Sequence, residues 1–124
     1  MTERRIKPRR KTAEYHIVYD RQNNDVIGRV LNLTPEGARL ICAEPVEIGV
    51  QAQCRMRLPD IINGVREIRF DMVSRWCEFN KVGDWYETGW VFVQLNDLAQ
   101  SAIEQMIENW PSEPIQRRIH PTGF

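Results

Sequence analysis

The chain has 124 residues, 42% of them hydrophobic and 27% charged, the make-up of one globular domain with a core of its own. Its 17 Lys and Arg equal its 17 Asp and Glu, which argues against a protein held to nucleic acid by a general positive field. No apolar run is long enough to span a bilayer, and the charged start has no signal-peptide core, so the expectation is a cytoplasmic protein without membrane insertion.

The balanced charge is unevenly placed. Residues 1–12 form a basic arm with Arg4, Arg5, Lys7, Arg9, Arg10 and Lys11 against the single acid Glu3. Such an arm suits an anionic partner. Pro8 disfavours helix at Lys7, so the arm is expected to be extended or turning rather than helical. Arg5 and Arg9 stand in an Arg-x-x-x-Arg pair. A guanidinium can fork onto phosphate or onto the O6 and N7 edge of guanine, and it can lie flat on a purine.

Strands follow. Residues 14–19 predict a first strand with Tyr15, Ile17 and Tyr19 on one face, then a polar turn over 20–25 and a second strand over 26–33. The second strand delivers Asn32-Leu33-Thr34-Pro35-Glu36-Gly37. Asn32 carries an amide able to donate and accept at a base edge, and Thr34 a hydroxyl able to donate to phosphate. Pro35 presets a turn, and Gly37 allows positive φ or close backbone approach. Taken alone, Asn-x-Thr-x-x-Gly is simply a turn between two strands.

Residues 38–42 predict a short third strand. Residues 51–58 alternate cleanly, with Ala52, Cys54, Met56 and Leu58 on an apolar face and Gln51, Gln53, Arg55 and Arg57 on a solvated one. Asn63-Gly64 marks a turn into a long strand over 65–78 with Ile68, Phe70 and Met72 on one side and Trp76 near its end. Residues 85–95 predict the last strand, with Gly89 marking a bulge or bend. Asn96 reads as a helix N-cap, with Asp97 in the first turn and an apolar stripe of Leu98, Ala102, Ile103, Met106, Ile107 and Trp110. Residues 111–124 read as a mobile tail. About six short strands with regular turn signals and one closing helix predict an all-β fold, an antiparallel barrel with a C-terminal helix.

No catalytic constellation emerges: there is no Gly-rich phosphate loop and no nucleophile paired with a base. Cys42, Cys54 and Cys77 are odd in number and form no Cys-x-x-Cys pair, and His16 and His120 are the only histidines, so neither a disulfide framework nor a metal site is expected. His16 is expected to be exposed or satisfied.

Arg5-x-x-x-Arg9 followed by Asn32-x-Thr34-x-x-Gly37 resembles the signature of the PilZ domain, a bacterial receptor for cyclic di-GMP. The Glu-Arg-Arg start of the arm and the Gly89-Trp90-Val91-Phe92-Val93 run also look like that family. The resemblance covers roughly residues 3 to 108. One departure is Thr34, where the family more often has Ser; the hydroxyl is kept and a methyl group added. The resemblance implies a six-stranded antiparallel PilZ-like barrel over residues 13–110, preceded by a flexible arm that orders on ligand binding. Cyclic di-GMP would be the ligand, with no resident cofactor. Arg5 and Arg9 would contact phosphates and guanine edges, assisted by Arg4 or Arg10. Asn32 would read a guanine edge, Thr34 would touch phosphate and Gly37 would leave room for the ligand. Trp76 is either a platform stacking on guanine or a core or rim tryptophan. An unidentified protein effector would sense the ordered arm. Two other readings stay open: a PilZ-like interaction module that binds no nucleotide, and a small nucleic-acid-binding barrel.

Overall fold

The computed structural model describes residues 16–109. The arm expected over 1–12, Tyr15, Trp110 and the tail expected over 111–124 lie outside the described residues. Six strands and one helix follow in order: β1 (Ile17–Asp20), β2 (Val26–Leu33), β3 (Gly37–Cys42), β4 (Gln51–Ile62), β5 (Val65–Asn80), β6 (Trp85–Val93) and α1 (Asp97–Glu108). Every strand pair is antiparallel, and the sheet closes as β1-β2-β3-β6-β5-β4. Closure leaves no long free edge to template aggregation.

Turn chemistry sets the hairpins. Asn63 and Gly64 both take positive φ, 51° and 82°, the two-residue geometry that matches the strand twist between β4 and β5. Between β1 and β2, Asp20 Oδ1 accepts from the Gln22 amide at 2.7 Å and Asn23 Oδ1 accepts from the Asp25 amide at 2.9 Å. Between β5 and β6, Asn80 Oδ1 accepts from the Gly83 amide at 2.9 Å.

The alternation expected of residues 51–58 holds: Cys54, Met56 and Leu58 are buried, while Gln51, Gln53 and Arg57 are exposed. β4 nevertheless continues past Pro59 to Ile62, because its register with β5 is irregular between Arg57 and Ile62 and no ladder bond is demanded of the proline there. The core joins Val18, Leu33, Leu40, Met56, Ile68, Phe70, Met72 and Trp90 to the helix residues Ala99, Ala102, Ile103 and Met106. The helix thus adds its apolar stripe to the barrel core. Asn96 caps it, its Oδ1 accepting from the Ala99 amide at 2.7 Å.

One local expectation needs correcting, and two are made specific. On β1 the inward face carries His16 and Val18, while Ile17 and Tyr19 are only half-buried; with apolar residues on both faces, a four-residue strand has no phase of its own. His16 is accordingly buried and has an interaction partner, the satisfied alternative of the two expected. On the helix Leu98 is exposed and Ala99 takes its place in the stripe, since the small side chain lets the first turn approach the barrel.

Candidate ligand-binding face

The sequence pattern points to Asn32, the Thr34–Gly37 turn and Trp76, and the barrel brings them to one outer surface. Asn32 pairs across the sheet with Arg39, Arg39 with Gly89, and Gly89 with Trp76. These four residues form one transverse row over β2, β3, β6 and β5. Two of them point outward only because each strand is interrupted just before them. Register slips between Val30 and Asn32 on β2, and between Ser74 and Trp76 on β5. Leu31 and Arg75 are the extra residues. Without them Asn32 would share the inward phase of Val30, and Trp76 that of Ser74. Bulges re-aim side chains in this way.

The turn that follows Asn32 is tightly self-bonded. The Thr34 amide donates to the Gly37 carbonyl at 2.9 Å. Thr34 Oγ1 accepts from the amides of Glu36 and Gly37, both at 3.2 Å. Its own proton faces only a long 3.4 Å contact to the Gly37 carbonyl. Asn32 Oδ1 accepts from the Leu33 amide at 2.9 Å, which turns the amide nitrogen of this exposed side chain outward. The turn is anchored to β6 by the Phe92 amide, which donates to the Glu36 carbonyl at 2.9 Å. Gly37 is required by that docking: a Cβ there would overlap the Trp90 carbonyl. The close approach at Gly37 is therefore to the backbone of β6.

Gly89 plays the matching part at the other end. A Cβ on Gly89 would collide with the Trp76 indole. Its absence lets the ring lie across β6 toward β3, where the Arg39 guanidinium sits 5.9 Å from the ring centroid. Arg39 also meets Glu87 at 3.4 Å, and Glu87 accepts from Asn80 Nδ2 at 3.4 Å. Arg39 was not singled out from sequence. The signal was present, since Arg39 alternates with buried Ala38 and Leu40, but its partners are 37 or more positions away along the chain.

Arg4, Arg5, Arg9 and Arg10 lie outside the described residues. His16, the first described residue, is buried; burial, with help from the Arg29 charge, lowers its pKa. Burial pushes the Cys54 thiol up to about 12 and also raises that of Cys42, against a hydrogen bond shared with the Thr88 hydroxyl. Both cysteines are therefore inert core residues. No cluster of three metal-ligating side chains occurs among the described residues, and none of their helices is long and apolar enough to cross a membrane.

No family model and no curated protein matches the chain. Among solved structures, the Bacillus subtilis inhibitor of motility, MotI/DgrA, is similar over 75% of this chain, with a TM-score of 0.61 and 16% sequence identity. The matched region makes up 44% of the length of that inhibitor. At this identity the likeness is one of fold, a closed six-stranded antiparallel barrel carrying a C-terminal helix.

Proposed function

We propose that this chain is a PilZ-like receptor module for cyclic di-GMP, a binding protein and not an enzyme, acting in the bacterial cytoplasm. The observation that carries this reading is the transverse row: two bulges turn Asn32 and Trp76 outward beside the Thr34–Gly37 turn. A base-edge reader, a hydroxyl with a proton to donate and an aromatic platform thus share one face. The arginine motif Arg5-x-x-x-Arg9 at the start of the chain supplies the charge that a dianionic ligand calls for. The likeness in fold to an inhibitor of motility is in keeping with a regulatory role.

In this mechanism the ligand seats between the row and the arm. Asn32 presents its amide to a guanine edge, Thr34 donates to a phosphate oxygen and Trp76 offers its ring to a base. Arg5 and Arg9 close over the phosphates from the arm, assisted by Arg4 or Arg10. The arm is ordered by the ligand and presents a new surface to a protein effector.

A second reading is a protein-interaction module without nucleotide. It is favoured by Thr34, whose oxygen is already engaged by two amides of its own turn. Calorimetric titration of cyclic di-GMP into wild type and Arg9→Ala, with GMP as control, separates the two. Saturable binding that is sharply weakened by Arg9→Ala supports the receptor and gives the stoichiometry. A folded wild type that binds nothing leaves the interaction module.

A further inference from the structure

The motif residues account for hydrogen bonding and stacking on the row but place no cation there. Arg39 stands between Asn32 and Trp76 on that row. Its side chain is only 14% exposed. It is held by two partners, each at the limit of its range. Glu87 lies at 3.4 Å, longer than the 2.7–2.9 Å or so of a well-formed ionic hydrogen bond. The Trp76 centroid lies at 5.9 Å, near the outer limit of about 6 Å for a cation over a ring. Arg39 Nε is buried with no hydrogen-bond partner among the described residues. A guanidinium withdrawn from water, loosely countered and with a donor unspent, is a poor structural ion pair and a good anion seat.

We propose that Arg39 is the barrel's own phosphate contact, and that Glu87 is a built-in competitor that occupies the guanidinium until the ligand displaces it. The proposal rests on the nucleotide reading above. On binding, a phosphate oxygen replaces the Glu87 carboxylate at the Arg39 fork. Glu87 keeps its contact with Asn80 Nδ2 and turns toward solvent. The exchange gives the Arg39 fork one anionic partner in place of another. Affinity is then set by a competition inside the protein. An anion too weak to displace Glu87 is excluded, which favours a ligand carrying both phosphate and a base for Trp76.

The test is calorimetric titration of cyclic di-GMP into wild type, Glu87→Gln, Arg39→Gln, Arg39→Lys and Arg55→Gln, with thermal unfolding of each. Arg55 is the control, since it meets Glu67 at the same 3.4 Å on another part of the barrel surface. Glu87→Gln is expected to bind about five-fold tighter, because the competitor is gone. Arg39→Gln is expected to bind about ten-fold weaker or worse. Arg39→Lys falls between, since an ammonium cannot fork, and Arg55→Gln matches wild type. Removing either member of the pair lowers the melting temperature. A purely structural role would therefore weaken binding in both variants, whereas competition moves them in opposite directions. If wild type binds while Glu87→Gln binds no tighter, or Arg39→Gln binds as wild type does, the proposal is overturned and the receptor reading stands. If folded wild type does not bind, the receptor reading falls and the proposal with it. Should Arg39→Gln fail to fold, Arg39→Lys and Glu87→Gln carry the test between them.

Discussion

Arginines stand on two faces of this barrel, and the faces differ in how the charges are held. On one side a shallow groove of about 500 Å³ is lined by Arg21, Gln22, Gln53, Arg55, Glu67 and Arg69. Arg21 meets Asp71 at 3.5 Å, Arg55 meets Glu67 at 3.4 Å and stacks 4.3 Å from the centre of the Tyr19 ring, and Arg69 is mostly in water. On the other side Arg39 is alone on its row, largely withdrawn from solvent, and shares a surface with a bulge-aimed asparagine and tryptophan. The groove has more charge, and the row has more organisation. The acids of the groove stand no closer than Glu87 does to Arg39, but Arg21 also donates to the Cys54 carbonyl at 3.1 Å and Arg55 to Asn24 Oδ1, whereas Arg39 Nε has no partner among the described residues. Binding chemistry calls for groups held in place and incompletely satisfied before the ligand arrives.

The comparison breaks first at the glycines that build the row. Gly37→Ala forces a methyl group into the Trp90 carbonyl, and the backbone of β3 or β6 must shift. The expected loss is about 3 kcal/mol or more, read from urea unfolding. A loss below about 1 kcal/mol would show that the turn is not docked on β6 as described. Next is Thr34→Val, which removes the oxygen that accepts from two amides; about 1 kcal/mol of stability should go, with Thr34→Ser restoring it. If Val and Ser behave alike, the hydroxyl does not organise the turn.

His16 sharpens the comparison at the strand between the two faces. Its folded pKa lies below the ordinary 6.5, so the unfolded chain takes up a proton more readily. Its contribution to stability is full above that ordinary value and is lost as pH falls from there toward the lowered folded value. Melting temperature measured at about pH 7.5 and about pH 5.5 should fall less for His16→Gln than for wild type. Equal falls would assign the acid sensitivity to carboxylates instead. The smallest effect belongs to the groove. A double-mutant cycle on Arg55 and Glu67 should return a coupling of about 0.2–1 kcal/mol that fades with salt. A coupling several times larger would mean that this face is organised too.

Much of the barrel was legible along the chain. The alternation from Gln51 to Leu58, the Asn63-Gly64 turn and the Asn96 cap are local signals, and each appears in the structure where its residues stand. The strand β2 occupies Val26–Leu33 as its pattern predicts. The limits of the reading are equally specific. The pattern left the inward face of β1 open, because Ile17 and Tyr19 alternate with His16 and Val18 over a very short stretch. Leu98 was placed in the helix stripe because hydrophobicity ranks it above Ala99, whereas the close approach of the first turn favours the smaller residue.

For the candidate site, the sequence determined which chemical groups are present: an amide at Asn32, a hydroxyl at Thr34, an indole at Trp76 and a run of arginines at the start. Spacing and side-chain type are properties of the chain itself, and they suffice to say what each group could donate, accept or stack upon. Which groups meet was decided by tertiary structure alone. The row from Asn32 to Trp76 joins four strands, and two bulges turn its ends outward. Nothing in a stretch such as Met72-Val73-Ser74-Arg75-Trp76 states that Arg75 will be the extra residue, since a bulge is set by the partner strand across the sheet. Arg39 became visible as a candidate only when β6 laid Gly89 beside it and the missing side chain opened the space into which Trp76 leans.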